Sequence, residues 1–231
     1  MIDLWERLAN TISPRACAIC GCRLTLGEAP ICAVCNLGLP RTRYAEDPYE
    51  NEMAKLFWGR IPIERCAAFF FYRAGSGPSN VIYHLKYHDQ PEIGIMMGQM
   101  IAQEFDENNF FDGIDMLVPV PLAKERRRQR GFNQSEEIAN GVGEATGIAV
   151  ANKVVCRNSF VESQTHKDRW ARADNVENAF QLLNAEQIRG KHVMVIDDVV
   201  TTGATICACA KELIKAGDVK ISVLSIGFAK S

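Results

Sequence analysis

The sequence lacks the features that would place it outside the ordinary globular proteins. Its apolar runs stay well short of the about 18 residues that suggest a membrane-spanning helix. The opening segment MIDLWERLAN has no long apolar stretch of the kind found in signal peptides. Internal repeats and low-complexity tracts are missing as well. We therefore expect a cytoplasmic protein without membrane insertion, and neither a fibrous nor a disordered one.

The chain also lacks an excess of charge of either sign. Its 26 Lys and Arg against 28 Asp and Glu give a net charge of −2. This balance excludes a protein that binds nucleic acid through an overall positive charge. A phosphate or nucleic-acid partner would have to be held by a local basic patch.

Size and periodicity indicate an α/β protein. With 231 residues, 47% of them hydrophobic, the chain suffices for one domain of about 150–200 residues and a small appendage. From residue 66 onward, the apolar runs CAAFFFY, MLVPVPL, HVMVIDDVV and ISVLSIGF alternate with helical patterns over 78–87, 92–105, 133–146 and 204–216. This alternation predicts a mainly parallel sheet flanked by helices. Ligands of such sheets bind outside the carboxyl ends of the strands.

Five of the nine cysteines lie between residues 17 and 35. Cys17 and Cys20 form one CxxC pair, and Cys32 and Cys35 form a second. Four thiolates at this spacing suit tetrahedral Zn²⁺, and so short a segment would draw much of its folding energy from the metal. Cys22 is a fifth thiol that could compete as a ligand. We predict a structural zinc module within residues 1–50, followed by a second domain over 51–231.

The segment VMVIDDVVTTGAT has the pattern of a phosphate-binding turn. An apolar strand from Val193 to Ile196 ends at two acidic residues, and a turn rich in threonine leads into a helix. The N-terminus of a helix offers free N–H groups and positive potential to a phosphate. The acidic residues would repel that phosphate, so they make sense facing sugar hydroxyls or a cation. A phosphorylated sugar with vicinal hydroxyls meets both demands.

This segment resembles the phosphoribosyl pyrophosphate (PRPP) signature of type I phosphoribosyltransferases, without departure over thirteen positions. The resemblance implies that Asp197 and Asp198 are the catalytic carboxylates that hold the ribose hydroxyls. It implies a type I phosphoribosyltransferase fold, and Mg²⁺ bound together with PRPP. The residues that it places around the 5-phosphate are Val199, Val200, Thr201, Thr202, Gly203, Ala204 and Thr205.

A cluster of basic residues follows the apolar run MLVPVPL. Planar guanidinium groups after a core strand suit pyrophosphate or a nucleic-acid backbone. We expect a loop there, followed by a helix in which Asn133 and Glu136 have the spacing of a capping box. The basic residues of the segment are Lys124, Arg126, Arg127, Arg128 and Arg130.

The pattern VPVPL…R..RGFNQ resembles the ComF/GntX branch of the phosphoribosyltransferases, which includes the competence-associated ComFC proteins. The resemblance implies a pyrophosphate loop that contains Lys124, Arg126 and Arg130, with Lys86 of the LKY element as a further phosphate contact. It also includes an N-terminal four-cysteine finger, and it selects the two CxxC pairs as the zinc ligands.

The polar segment between the two loops also resembles this branch, in which it is a flexible loop that closes over PRPP. The matching positions include Gln164, Thr165, Arg169 and Arg172, whereas His166 and Lys167 replace a common Gly-Leu pair.

Three functions stay open at this point. The ComF resemblance implies a PRPP-binding protein of natural transformation, whose partners are incoming single-stranded DNA and a DNA-uptake helicase. Phe132 and Trp170, near the basic segment, are candidates for base stacking. One alternative is an active Mg²⁺-dependent phosphoribosyltransferase of nucleotide metabolism with an unknown acceptor. The other is a PRPP-sensing regulator, for which the sequence has no helix-turn-helix signature.

Overall fold

The computed structural model describes residues 15–25, 28–87, 90–158 and 179–230. Its centre is a parallel sheet of four strands in the spatial order β1-β6-β5-β2. These strands are β1 (Arg65–Phe71), β2 (Met116–Pro119), β5 (His192–Val200) and β6 (Lys220–Phe228). The predicted α/β architecture with a parallel sheet is confirmed. Two short strands, β3 (Val155–Arg157) and β4 (Phe180–Leu182), pair antiparallel beside the sheet and were not predicted, because three residues are too few to show a period.

The described residues form seven helices. Four of them were predicted, and each begins and ends within about two residues of its predicted bounds. The basic segment is the exception, because it forms a helix where we expected a loop. Its lysine, arginines and glutamine are good helix formers, and Gly131, at φ 76°, ends it. The helices are α1 (Ala33–Leu37), α2 (Glu52–Lys55), α3 (Ser79–Tyr87), α4 (Pro91–Asp106), α5 (Lys124–Arg130), α6 (Gln134–Thr146) and α7 (Ala204–Ile214).

The sheet is buried on both faces. Because successive side chains of a strand point in opposite directions, each strand contributes side chains to both sides. In β5, Met194 and Ile196 belong to the core beneath α3, α4 and α6. Val193 and Val195 belong to the core on the other face, with α2 and α7. The sheet is therefore the middle of three layers, and its strand ends remain the places where a ligand has access.

Helices α4 and α6 pack closely through glycines. A Cβ atom at Gly141 would lie 1.9 Å from the carbonyl oxygen of Ile95, and one at Gly98 would lie 2.3 Å from that of Ile138. Only glycine permits this approach of two backbones. The contact fixes the position of α6, whose first turn reaches the carboxyl edge of the sheet.

The start of α6 differs from the capping box that we expected. The side chain of Asn133 donates from Nδ2 to the carbonyl oxygen of Val120 (3.0 Å), just after β2. Glu136 accepts from Asn152 (2.7 Å) and pairs with Arg127 (3.1 Å). The capping-box prediction was wrong, because these side chains tie α6 to its neighbours instead of to its own backbone.

The cysteine-rich segment packs on the main domain. Its buried residues Leu24 and Ile31 belong to the same core as Phe69 of β1. Asn80 of α3 donates from Nδ2 to the carbonyl oxygen of Ile19 (2.9 Å). The boundary near residue 50 stays a prediction. Within the described ranges, no helix is long and apolar enough to cross a membrane.

Candidate functional site

Two adjacent carboxylates lie near the carboxyl end of β5. The run HVMVIDDVV, which the sequence predicted as a strand, forms β5. Asp197 and Asp198 follow its apolar part, and the strand continues to Val200, which pairs with Phe228 of β6. Asp198 forms an ion pair with Lys86 of α3, with 2.8 Å between Oδ2 and Nζ. The structure thus brings together a carboxylate and an ammonium group that the sequence predicted for different parts of one ligand.

Asp197 is held from two sides. Its Oδ1 accepts hydrogen bonds from the Ser135 hydroxyl of α6 (3.0 Å) and from the backbone N–H of Asp198 (2.9 Å). Loss of hydration and the neighbouring Asp198 charge raise the pKa of Asp197 to about 7, against the opposing effect of these donors and of Lys86. Asp197 therefore changes charge near neutral pH.

The turn after β5 has the shape that the sequence predicted. Gly203 adopts a left-handed conformation (φ 71°, ψ 1°) immediately before α7. Thr201 and Thr202 are exposed, and Thr205 lines the same cavity as the two carboxylates. The first turn of α7 places backbone N–H groups without intrahelical acceptors at this point. The geometry suits a phosphate group close to the carboxylates.

Two residues that the sequence did not indicate, Arg60 and Phe57, lie against the turn. Arg60 donates from Nη1 to the carbonyl oxygens of Thr202 (2.8 Å) and Leu56 (2.9 Å). A Cβ atom on Gly203 would lie 2.9 Å from Cε1 of the buried Phe57 ring. Glycine is required here by its backbone conformation and by Phe57. The sequence resemblance indicated Gly203 only as one of the residues around the 5-phosphate.

A cleft connects the carboxylates with the basic helix α5. A cavity of about 170 Å³ at the end of β5 contains both carboxylates and Thr205. A larger cleft of about 750 Å³ is lined by Arg128 and Tyr87. Three cationic residues line both spaces: Lys86, Arg126 and Arg130. Lys124, the first residue of α5, is exposed and lines neither space.

Gln134 is a polar residue of the site for which the sequence indicated no role. Its side chain is 2% exposed, and its Oε1 accepts from Nη1 of Arg130 (2.9 Å). Within the described part of the chain, its Nε2 has no hydrogen-bond partner. A buried amide donor without an acceptor is costly, so this atom indicates a place for an acceptor from a ligand. The RGFNQ pattern contained this residue, but only the fold shows that it lines the cavity.

Arg157 of β3 completes the wall of the smaller cavity. Its guanidinium carbon lies 5.4 Å from the centre of the Phe180 ring. Burial and the nearby charge of Arg126 lower the pKa of Arg157, against the opposing effect of Asp197. It adds a fixed positive charge next to Asp197.

Some predicted residues do not contribute to the described site. Phe132 is only 9% exposed and packs in the core, so it is not available for base stacking. Trp170 and the four flexible-loop residues lie outside the described residues; these four are Gln164, Thr165, Arg169 and Arg172.

The cysteines form a separate cluster. The sulfur atoms of four of them lie within 4.8 Å of one another, and the sulfurs of Cys20 and Cys32 are 3.9 Å apart. Backbone N–H groups of Ile19 and Cys32 donate to the sulfur of Cys17 (3.4 and 3.3 Å). A tetrahedral zinc site with Zn–S bonds of about 2.3 Å separates its sulfurs by about 3.8 Å, so the cluster has the size of a metal site. Its four members are Cys17, Cys20, Cys22 and Cys32.

The membership of this cluster differs from the two CxxC pairs in one position. Cys22 belongs to the group of four, whereas Cys35 is not a member, although its backbone N–H donates to the sulfur of Cys32 (3.5 Å). The structure therefore offers five thiols for four positions. The predicted ligand set stays a prediction, with Cys22 and Cys35 as competitors for one place.

Comparison with known proteins gives relatives over most of the chain. The DNA utilization protein YhgH of Salmonella typhi is 29% identical over 222 residues, which cover 91% of this chain and 95% of that protein. The protein of the same name from Escherichia coli (strain K12) is 28% identical over 225 residues, with the same coverage. Competence protein ComFC of Bacillus subtilis (strain 168) is 34% identical over 102 residues, 44% of this chain and 39% of that protein.

The family model for the phosphoribosyl transferase domain matches residues 85–230, which is more than half of the chain. This range contains Lys86, the basic helix, both carboxylates and the turn before α7. The chain belongs to the phosphoribosyl transferase domain family.

Proposed function

We propose that this protein binds PRPP, together with Mg²⁺, at the carboxyl edge of β5 and acts in the use of incoming single-stranded DNA. The observation that carries the first part is the order of three chemically different groups along one cleft. A phosphate-binding turn, a pair of carboxylates and a cluster of cations follow one another, as do the 5-phosphate, the ribose hydroxyls and the pyrophosphate of PRPP.

The cationic end is built for a pyrophosphate. Lys86, Arg126 and Arg130 line both spaces of the cleft, and the unpartnered Nε2 of Gln134 adds a neutral donor. Several charged donors around one polyanion give strong, charge-assisted hydrogen bonds. Lys86 would leave Asp198 for the pyrophosphate when the ligand enters.

The carboxylates suit the ribose and a cation. Asp198 already holds an ammonium group at 2.8 Å, so its position accepts positive charge. Carboxylate oxygens are also the ligands that Mg²⁺ prefers, and the ion would neutralise charge on the pyrophosphate. When Lys86 moves away, Asp197 and Asp198 are the candidates to accept hydrogen bonds from ribose hydroxyls.

The cysteine cluster is proposed to hold one structural Zn²⁺ through four thiolates, with Cys17, Cys20, Cys32 and either Cys35 or Cys22. All four positions would be filled by protein, which leaves no open site for a substrate.

The part played in DNA use rests on the relatives. The proteins similar over most of the chain are named DNA utilization proteins, and relatives over about half of it are named competence proteins. A DNA-uptake helicase is a proposed protein partner that only the ComF resemblance implies. An active phosphoribosyltransferase with an unknown acceptor is the second candidate, which the cleft favours because it would hold a pyrophosphate leaving group beside the ribose.

Isothermal titration with PRPP, ribose 5-phosphate and pyrophosphate, each with Mg²⁺, tests the order of the groups. Asp198→Asn should weaken PRPP and ribose 5-phosphate binding and spare pyrophosphate. Arg130→Gln should weaken PRPP and pyrophosphate and spare ribose 5-phosphate. Asp218→Asn and Arg189→Gln, changes at exposed residues away from the cleft, are the matched controls.

Absence of PRPP binding by the unmodified protein would refute the proposal. Binding with pyrophosphate release in the presence of a nucleobase or amine acceptor would favour the transferase. Binding without release, under any acceptor tried, would favour PRPP as a bound ligand in DNA use.

A further inference from the structure

Helix α3 carries two large aromatic rings on its surface. Tyr83 and Tyr87 are 53% and 64% exposed, and they lie one helical turn apart. Their ring centres are 5.0 Å apart, with the planes tilted by 44°. The core-facing side of the same helix is already formed by Val81, Ile82 and Leu85. The two tyrosines therefore add little to the core, and each leaves a large area of ring in contact with water.

A row of cations continues from this aromatic pair. The guanidinium carbon of Arg130 lies 5.6 Å from the centre of the Tyr87 ring, within the range of a cation–π contact. Arg126 and Arg128 line the cleft beside Tyr87. Neither of these two forms an ion pair with another residue in the described ranges, whereas Arg127 is paired with Glu136.

The other end of α3 reaches the cysteine-rich segment through the hydrogen bond from Asn80 to Ile19. Asn80 and Tyr87 are separated by about 10 Å along the helix axis. The exposed face of α3 thus runs from Asn80, beside the cysteine-rich segment, past Tyr83 to Tyr87, which lines the basic cleft.

We propose that Tyr83 and Tyr87 form a stacking platform for single-stranded DNA, with Arg128 and Arg130 as contacts to its phosphates. Adjacent rings and guanidinium groups match the alternation of bases and phosphates along a strand, and aromatic stacking on bases tolerates any sequence. A duplex would not fit, because its base faces are covered by neighbouring bases. This inference rests on the proposed function in DNA use, and it replaces the buried Phe132 as a stacking residue.

Fluorescence anisotropy with a labelled oligothymidylate tests the platform in the full-length protein. Tyr83→Leu and Tyr87→Leu should each weaken binding by about tenfold, because the base loses its aromatic surface. Tyr87→Phe, which keeps the ring, should bind like the unmodified protein. Tyr49→Leu, a change at an equally exposed tyrosine, is the matched control. Circular dichroism and the Tm verify that each variant is folded.

The salt dependence separates stacking from charge. The two leucine variants should keep the slope of log K against log salt concentration, since they remove no charged group. Arg128→Gln should flatten the slope by about 0.7. As a measurement without mutation, photocrosslinking of a bromodeoxyuridine-containing strand should label peptides that contain Tyr83 or Tyr87.

Three results would overturn the proposal in distinguishable ways. If the unmodified protein binds the strand and the double leucine variant binds equally well, the platform is wrong while the function in DNA use stands. If the unmodified protein binds no oligothymidylate at low salt, the DNA part of the proposed function fails and the platform fails with it. If oligouridylate binds much more tightly than oligothymidylate, the occupant is RNA and the assignment to DNA is wrong.

Discussion

Replacing Gly203 by alanine adds one carbon atom to the turn before α7 and tests whether the turn requires glycine. At φ 71°, the left-handed conformation costs an alanine about 1–2 kcal/mol. Its Cβ atom would also lie 2.9 Å from Cε1 of Phe57, so ring and turn would have to separate by about 0.6 Å to reach an ordinary contact near 3.5 Å. Such overpacking costs about 1–3 kcal/mol. The expected destabilisation is therefore about 2–5 kcal/mol.

Gly190 provides the matched control for this change. Its φ of 68° imposes the same conformational cost, but no heavy atom lies within 4 Å of an added Cβ. Gly190→Ala should therefore lose only about 1–2 kcal/mol. Urea unfolding measures both free energies, and titration with PRPP and Mg²⁺ measures the consequence for the site. Because a phosphate needs donors within about 3 Å, the displaced turn of Gly203→Ala should bind PRPP at least about tenfold more weakly.

A second variant tests the part played by the ring. Phe57→Leu combined with Gly203→Ala should recover part of the missing PRPP affinity, because the smaller side chain leaves room for the Cβ atom. Equal stability of Gly203→Ala and Gly190→Ala, together with PRPP affinity like that of the unmodified protein, would refute the reasoning about this turn.

Three further predictions concern the carboxylate, the basic helix and the cysteines. The raised pKa of Asp197 makes the protein less stable as the pH rises from about 4 to about 7. Asp197→Asn, which carries no charge, should therefore be more stable than the unmodified protein by on the order of 4 kcal/mol at pH 8. Thermal unfolding should show this gap closing near pH 4; a gap independent of pH would contradict the assignment. Neutralising Arg126 and Arg130 together should weaken PRPP binding. For single-stranded DNA, it should flatten the slope of log K against log salt concentration by about 0.7 for each phosphate that the variant no longer binds. An unchanged slope would mean that the DNA does not contact these two arginines. The purified protein should carry about one Zn²⁺. Metal analysis of Cys22→Ser and Cys35→Ser should show loss of the metal in only one of the two variants. A folded protein without metal would exclude the zinc site.

The local sequence was sufficient to predict those parts of the candidate site whose residues lie in one contiguous segment. The strand, turn and helix from Val193 to Ile214 are successive in the chain, so their order already places two carboxylates beside a helix N-terminus. The same is true of the CxxC pairs, which indicate a metal cluster through spacing alone. The alternation of continuous apolar runs with helical patterns predicted a parallel sheet, because strands that are buried on both faces consist of nearly uninterrupted apolar residues.

Tertiary structure decided everything that joins distant segments. The contact of Arg60 with Thr202, the ion pair of Lys86 with Asp198 and the hydrogen bond of Ser135 with Asp197 each connect residues more than sixty positions apart. No local pattern encodes such a pairing, since it depends on how α4 and α6 pack and on the order of strands in the sheet. The fold also buried Phe132, exposed Tyr83 and Tyr87 side by side, and brought Cys22 among the sulfurs. Residue types and spacing determine which chemistry a segment offers, whereas packing determines which other segment it meets.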